Sequence, residues 1–295
     1  DPELKSIDDL NTDYFSEDYF LPKKTFKEEI GRLFGIDISD TEEDEEISKA
    51  LLRNFKKSGI NIMVSSNVEG VEVINDICHV RVKTAAGIEI LEADVVLSAV
   101  GISTNLENIG LEELGVKTDK GKVLVNDFFK TNVEGVYAIG DIVRGQSLAH
   151  VASAEGITCI EKIAGKQVDP INYNNIPGCT YCEPEIASVG YTEKAAREAG
   201  YELKIGKFPF SASGRAKAAG EFEGFVKVIF DAKYGEFLGA HMIGHNVTEM
   251  IAEVVVARKL ETTGHEIIKS IHPHPTMSEA LKEASAAAYG EATDI

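Results

Sequence analysis

Basic residues are scarce in this 295-residue chain: 30 Lys and Arg face 49 Asp and Glu, a formal net charge of −19. Binding along a phosphate backbone needs clustered Lys and Arg, so nucleic acid is excluded as an expected partner, and an anionic membrane surface with it. No stretch approaches the roughly 18 apolar residues of a membrane span. No basic region followed by an apolar run marks a signal peptide near the start. Cysteine is sparse too: Cys78, Cys159, Cys179 and Cys182 are too few and too scattered for a disulfide-stapled secreted domain. A cytoplasmic protein, or one of the mitochondrial matrix in a eukaryote, is therefore expected. Glycine is plentiful but widely separated. No two of the 26 are spaced two apart, which excludes a Gly-x-Gly-x-x-Gly pyrophosphate loop in this chain. No two cysteines form a Cys-x4-Cys pair either.

What is present is ordinary for a soluble globular chain, with 43% hydrophobic and 27% charged residues. The length accommodates two domains. The acidity is uneven. Residues 1–46 carry 16 acidic side chains against 5 basic ones, and the remainder carries 33 against 25. Residues 1–44 form an acidic N-terminal segment of unassigned role, with aromatics at Tyr14, Phe15, Tyr19 and Phe20 and a short helix expected over Thr25–Phe34. The run Glu42–Glu46 either charges the N-terminus of the next helix favourably or is a solvated acidic stretch.

From Glu46 the patterning firms. Ile47, Ala50, Leu51, Leu52 and Phe55 recur at helical spacing, ended by Lys56, Lys57 and Gly59. Strands are expected at 61–64, 68–74, 78–84, 93–100, 122–125 and 135–139, the run over 93–100 being apolar enough for a buried strand. A helix is expected over 147–164 and a linker over 165–178. Beyond it, strands at 186–190, 202–208, 225–230 and 236–243 alternate with helices at 193–198, 247–260, 265–271 and 277–289. Asn246 and Glu249 have capping-box spacing. Turns such as Asp231–Gly235 suggest an antiparallel sheet with helices on one face.

Three segments carry chemistry. The first is the apolar run Thr131-Asn132-Val133-Glu134-Gly135-Val136-Tyr137-Ala138-Ile139-Gly140-Asp141. A glycine there permits close backbone approach, and a carboxylate at a strand's C-terminal end can accept two hydrogen bonds from a sugar-like diol. A bare Gly-Asp is also an ordinary β-turn. The second is Ser147-Leu148-Ala149-His150-Val151-Ala152-Ser153-Ala154-Glu155-Gly156, which opens a helix and so offers free N–H groups and partial positive charge. The third is His272-Pro273-His274-Pro275-Thr276-Met277-Ser278-Glu279. Its prolines fix φ and remove two N–H donors. Its histidines read as a base, as turn residues or as metal ligands, and Glu279 as an orienting carboxylate or as a helix cap.

Taken whole, these strings resemble the pyridine nucleotide–disulfide oxidoreductases, and the third resembles the signature of the dihydrolipoyl dehydrogenase branch. The resemblance covers about residues 45–290. It implies FAD contacts at Gly140, Asp141, Leu148, Ala149 and His150, with Asp141 on the ribityl chain. It implies NAD contacts at Val68 and Gly101, although Ile102 stands where an arginine is usual. It makes His274 the catalytic base and Glu279 the carboxylate that orients it. The implied fold is α/β: a remnant of Rossmann-like nucleotide-binding domains over 45–171, then an α+β interface domain with an antiparallel sheet over 172–295.

The implied reaction is oxidation of dihydrolipoamide through FAD and a disulfide, with NAD+ as acceptor. The implied partners are a second copy of the chain and the lipoyl domain of a 2-oxo acid dehydrogenase complex or of a glycine cleavage system. The family's glycine fingerprints and redox cysteines do not occur in these residues, so the chain is expected to be a fragment, inactive alone. A related flavin disulfide reductase, or a non-catalytic dimerisation module, is the alternative. Cys179-Thr180-Tyr181-Cys182 is expected to be packing rather than a redox or zinc pair, and His241-Met242-Ile243-Gly244-His245 structural; no metal is expected.

Overall fold

The computed structural model describes residues 43–293. The expected helix at Thr25–Phe34 and the nearby aromatics lie outside them. The chain divides into two units, Asp1–Val96 and Leu97–Ile295, and each is described by itself.

In the first unit, α1 (Glu45–Lys57) starts where the Asp44 carboxylate accepts the Glu46 N–H at 3.0 Å. Glu45 and Glu46 occupy its first turn and Lys56 and Lys57 its last, matching charge to the helix dipole at both ends. Of the apolar stripe, Ile47 and Ala50 are buried. Three antiparallel strands follow, β1 (Asn67–Ile74), β2 (Ile77–Thr84) and β3 (Gly87–Ala93), with β2 central. The β1–β2 turn is Asn75-Asp76, both at positive φ, as a two-residue hairpin of right-handed twist requires.

The third strand is a correction. The apolar run over 93–100 is not a strand; the strand is β3, and it ends at Ala93. Leu97 is 81% and Val100 94% exposed. An apolar sequence becomes a buried strand only when neighbours receive its N–H and C=O groups, and among the described residues none pairs with 94–100. The strands expected at 61–64 and 135–139 likewise reduce to single bridged residues, Ile62 and Tyr137, the latter opposite Lys130.

The second unit opens with a small hairpin, β4 (Thr118–Asp119) and β5 (Lys122–Val123). Val116, Val123, Ala138 and Val143 form a compact apolar cluster beneath the Gly140–Ile142 3-10 turn. Helix α2 (Ala149–Ile163) follows, and a 3-10 turn, Tyr173–Asn175, interrupts the expected linker. A five-stranded antiparallel sheet comes next, ordered β6 (Gly178–Thr180), β7 (Ile186–Gly190), β10 (Phe237–Ile243), β9 (Phe225–Asp231), β8 (Leu203–Pro209). Every residue of β9 and β10 is buried, which requires cover on both faces.

One face receives α5 (Val247–Lys259) and α7 (Glu279–Tyr289), with α6 (Gly264–Lys269) against α7. Val226, Val228, Phe230, Ala240 and Met242 meet Met250, Ile251, Val254, Leu281 and Ala284 there. The opposite face is covered in part by α3 (Glu193–Glu198), whose Ala196 packs on Ile229 and Leu238. Helices therefore lie on both faces rather than one. The short helix α4 (Gly214–Ala219), capped by the Ser213 side chain, has no strong sequence signal. The capping box expected at Asn246 does not form. Asn246 sits at φ 61° and its side chain makes no cap bond. The Glu185 carboxylate takes that role, accepting from the Thr248 N–H at 3.2 Å and the Thr248 hydroxyl at 2.8 Å.

Candidate acid–base site and glycine turn

The segment His272–Ser278 joins α6 to α7, and Glu279 is the first residue of α7. Its two carboxylate oxygens do different things. Oε2 accepts the Thr276 N–H at 2.8 Å, the reciprocal half of a capping box. Oε1 lies 2.8 Å from Nδ1 of His274. One side chain thus makes both the helix-start contact and the contact to His274. Burial alone would raise the Glu279 pKa, but the Thr276 N–H, the His274 hydrogen bond and charge, and Lys282 outweigh it and hold the group below the usual carboxylate range. A carboxylate that stays charged makes Nδ1 the protonated nitrogen of a neutral His274. Nε2 is left as the acceptor on a side chain 79% exposed.

His272, two residues away, is arranged oppositely. Its side chain is 6% exposed. Nε2 lies 2.9 Å from Glu253 Oε1 on α5, and Nδ1 lies 3.1 Å from the Ser270 carbonyl oxygen. Both neighbours only accept, so both nitrogens are best satisfied as donors, which is the imidazolium form. The Glu253 hydrogen bond raises the His272 pKa above the ordinary histidine value, against burial and Lys282. His272 therefore pins the segment to α5 and has no free lone pair to act as a base.

The second cluster surrounds Gly140. Its φ is +74°, and a Cβ there would lie 3.3 Å from the Ala152 Cβ, so the turn approaches α2 more closely than a side chain comfortably allows. The Gly140 N–H donates to Glu155 Oε2 at 2.6 Å, and the Tyr173 hydroxyl donates to Glu155 Oε1 at 2.7 Å. Lys122 Nζ reaches the Asp141 carbonyl oxygen. The Asp141 side chain is exposed, and its carboxylate has no partner among the described residues. Leu148 caps α2 through its backbone, and Ala149 opens the helix, where the first N–H groups lack intrahelical acceptors. His150 is exposed, with Nε2 3.1 Å from the Pro177 carbonyl oxygen, which makes Nε2 the donor.

A free carboxylate on a tight glycine turn, followed by an open helix start, fits a flavin's ribityl hydroxyls and its electron-rich ring edge. Val68 lies on β1 and is half exposed. Gly101 has φ +112° and open space around it. These two supply apolar surface and backbone only, too little to argue a nicotinamide pocket.

The remaining motifs are structural in their surroundings. Cys179 pairs with Ala187 in the sheet, and neither Cys179 nor Cys182 is in a disulfide. Burial pushes the Cys182 thiol up, which opposes the thiolate a redox centre needs. His241 is buried in β10, with Nε2 2.9 Å from the Tyr191 carbonyl oxygen. Among the described residues no group of three His, Cys, Asp or Glu could hold a metal, and no helix is long and apolar enough to cross a membrane. Glu253 and Tyr173 carry no short-range signal in sequence. Glu253 lies 19 residues from His272, and Tyr173 lies 18 from Glu155, itself noticed only as part of a longer string.

The fold belongs to a defined class. Residues 37–156 match the family description pyridine nucleotide-disulphide oxidoreductase, and residues 176–285 match its dimerisation domain. The chain belongs to the pyridine nucleotide-disulphide oxidoreductase family. Members of this family use FAD and NAD(H).

Its curated relatives are more particular. A dihydrolipoyl dehydrogenase of Rhizobium etli is 48% identical, over 88% of this chain and 56% of the relative. One from Zymomonas mobilis is 46% identical, over 88% and 58%. A mitochondrial dihydrolipoyl dehydrogenase of Pisum sativum is 43% identical, over 85% and 51%. The chain thus spans about half the length of the curated relatives it matches. Among solved structures, LpdA of Mycobacterium tuberculosis shares the fold at a TM-score of 0.76 and 24% identity, over 82% of this chain and 52% of that one. The HOCl-induced flavoprotein disulfide reductase RclA of Escherichia coli does so at 0.76 and 22%, over 83% and 56%.

Proposed function

We propose that this chain supplies the acid–base half of a dihydrolipoyl dehydrogenase, oxidising dihydrolipoamide with NAD+ as the final acceptor. The observation that carries the reading is the His274–Glu279 pair, 2.8 Å apart, with the far imidazole nitrogen turned to solvent. A dithiol attacks a disulfide only as a thiolate. Nε2 of His274 takes the thiol proton, and Glu279, kept charged by Thr276 and His274, stabilises the imidazolium that forms. When bound, FAD provides the electron path between the dithiol and the nicotinamide. Asp141 would hold its ribityl hydroxyls, beside Gly140, while Leu148, Ala149 and His150 line its ring edge at the start of α2. Val68 and Gly101 are assigned to the nicotinamide side by family position alone.

In this reading residues 172–295 are the interface domain and residues 45–171 the nucleotide-binding part. Two copies pair so that His274 of one serves the other, and the dithiol arrives on a lipoyl domain of a 2-oxo acid dehydrogenase complex or a glycine cleavage system. A cytoplasmic or mitochondrial-matrix setting is consistent with that partner. The chain contributes the base and not the disulfide, since no Cys-x4-Cys pair occurs in it. The second reading is a non-catalytic dimerisation module, to which the match of residues 176–285 with a dimerisation domain is equally open.

Fusion behind the N-terminal half of the Rhizobium etli relative separates the two. The first reading expects lipoamide-dependent NADH formation, with His274→Ala lowering kcat by about 100-fold or more while the flavin absorbance stays. Unchanged turnover in His274→Ala would remove the role given to this histidine. A fusion that dimerises but stays colourless with added FAD supports the module.

A further inference from the structure

The Gly140-Asp141 turn is held by something no sequence motif announces. Glu155 lies on α2 and is 1% exposed, yet among the described residues its partners are neutral donors, the Gly140 N–H at 2.6 Å and the Tyr173 hydroxyl at 2.7 Å. A buried carboxylate is costly unless its oxygens are hydrogen-bonded, so this side chain is kept for what it holds. The Tyr173 ring packs on Gly145, where a Cβ would come within 2.8 Å of it. The same turn of the chain is therefore gripped at both ends, at Gly140 through Glu155 and at Gly145 through the ring. Burial and the Glu155 hydrogen bond both push the Tyr173 hydroxyl pKa up, so it remains a donor at any physiological pH.

The far end of this brace is fixed as well. Tyr173 opens the 3-10 turn Tyr173–Asn175, whose Asn175 amide donates to the Val255 carbonyl oxygen at 3.0 Å. Arg258 Nη1 donates to the Asn174 carbonyl oxygen at 2.6 Å and to Asn175 Oδ1 at 2.8 Å. Val255 and Arg258 lie on α5, a rigid helix packed on the five-stranded sheet.

We propose that Glu155 and Tyr173 are positioning residues for the flavin: a buried carboxylate–phenol brace that presets the Gly140–Gly145 turn, aims the free Asp141 carboxylate and keys the turn to α5. The brace is a property of this chain; its use in cofactor binding rests on the flavin assignment of Asp141. The two are tested separately. Binding sites held by locked neighbours need no reordering when the ligand arrives, and loss of the lock appears as lost affinity.

The experiment uses the 295-residue chain labelled with 15N-glycine, in wild type and in Glu155→Gln, Glu155→Leu and Tyr173→Phe. Glutamine keeps an acceptor for Gly140 and a polar contact for Tyr173; leucine keeps only volume. Amide exchange of Gly140 is expected to accelerate about tenfold or more in Glu155→Leu and severalfold in Tyr173→Phe, and to stay within about twofold in Glu155→Gln. Unchanged exchange in Glu155→Leu and Tyr173→Phe would overturn the brace. FAD titration followed by flavin fluorescence forms the second arm, with the same variants carried in the fusion behind the N-terminal half of the Rhizobium etli relative. Affinity is expected to fall about fivefold or more in Glu155→Leu and Tyr173→Phe, with Glu155→Gln near wild type and all melting temperatures of Tyr173→Phe and Glu155→Gln close to it. Faster exchange with unaltered FAD affinity would leave the brace and overturn the positioning role. A fusion that keeps Glu155 and Tyr173 yet binds no FAD would sink the flavin assignment, while the exchange arm still decides the brace.

Discussion

Two imidazoles separated by a single proline are put to opposite uses. His274 has one nitrogen on a carboxylate and the other in solvent, which suits proton transfer. His272 has both nitrogens on acceptors and is buried, which suits a fixed cation. The difference has a consequence for stability. The Glu253 hydrogen bond, helped by the Ser270 carbonyl and opposed by burial and Lys282, raises the folded-state pKa of His272. The folded protein then binds this proton more tightly than the unfolded chain does. The stabilisation is fully present below the unfolded imidazole value of about 6.5 and is lost as pH rises through the raised folded value. Glu253→Gln removes the charge and keeps an acceptor. Melting curves at intervals from acid to alkaline pH are expected to show wild type exceeding Glu253→Gln most below that unfolded value, the gap closing as pH climbs through the folded one. A gap independent of pH would mean that the pair is not ionic.

At the scale of elements, β8 and α7 are held at backbone contact. A Cβ on Gly206 would stand 1.8 Å from the Ala284 carbonyl oxygen and 2.6 Å from the Ala288 nitrogen, so the strand lies against the helix backbone itself. Gly206 has no unusual φ, and the requirement is purely one of space. Gly206→Ala forces α7 outward and is expected to cost about 1–3 kcal/mol, or more, as overpacking does. For a unit of this size that lowers Tm by several degrees. Because Glu279 opens α7, the fusion enzyme should also lose kcat without losing flavin, and a variant with wild-type Tm would show that α7 can slide freely.

This scale is also where the sequence was most and least legible. His274 and Glu279 stood out only through the family resemblance of the whole string His272–Glu279, and their contact is local, with four residues of chain between them. Glu155, Tyr173 and Glu253 did not stand out. Their partners lie 15 or more residues away, and nothing in a local pattern marks a carboxylate that will be buried. Most strands and helices of residues 186–289 were readable because alternation and helical spacing were clear. The capping box at Asn246 failed because Asn246 takes a left-handed backbone, and Glu185, distant in sequence, caps the helix through the Thr248 N–H instead.

On the scale of the whole molecule, the apolar run at 94–100 shows what a sequence pattern can and cannot specify. Val95, Val96, Leu97 and Val100 are strand-formers by composition, but a strand is a property of pairs. Among the described residues these four are exposed and unpaired. A stretch with high β-propensity, no proline and little charge, left open in this way, is a template for pairing between copies. The chain's net charge of −19 opposes such association at low ionic strength, but the excess sits mainly in residues 1–46, and salt screens it. Self-association is therefore expected to rise with added salt, the reverse of what a charge-driven contact would do. Light scattering of the wild-type chain against salt concentration, beside Val95→Lys/Leu97→Lys, tests this. The double variant should shift the onset to at least about twofold higher protein concentration while leaving the melting of the Leu97–Ile295 unit in place. Coincident scattering curves for the two proteins would acquit this segment and direct attention to the apolar surface of α2, where Ile157, Ile160 and Ile163 are also exposed.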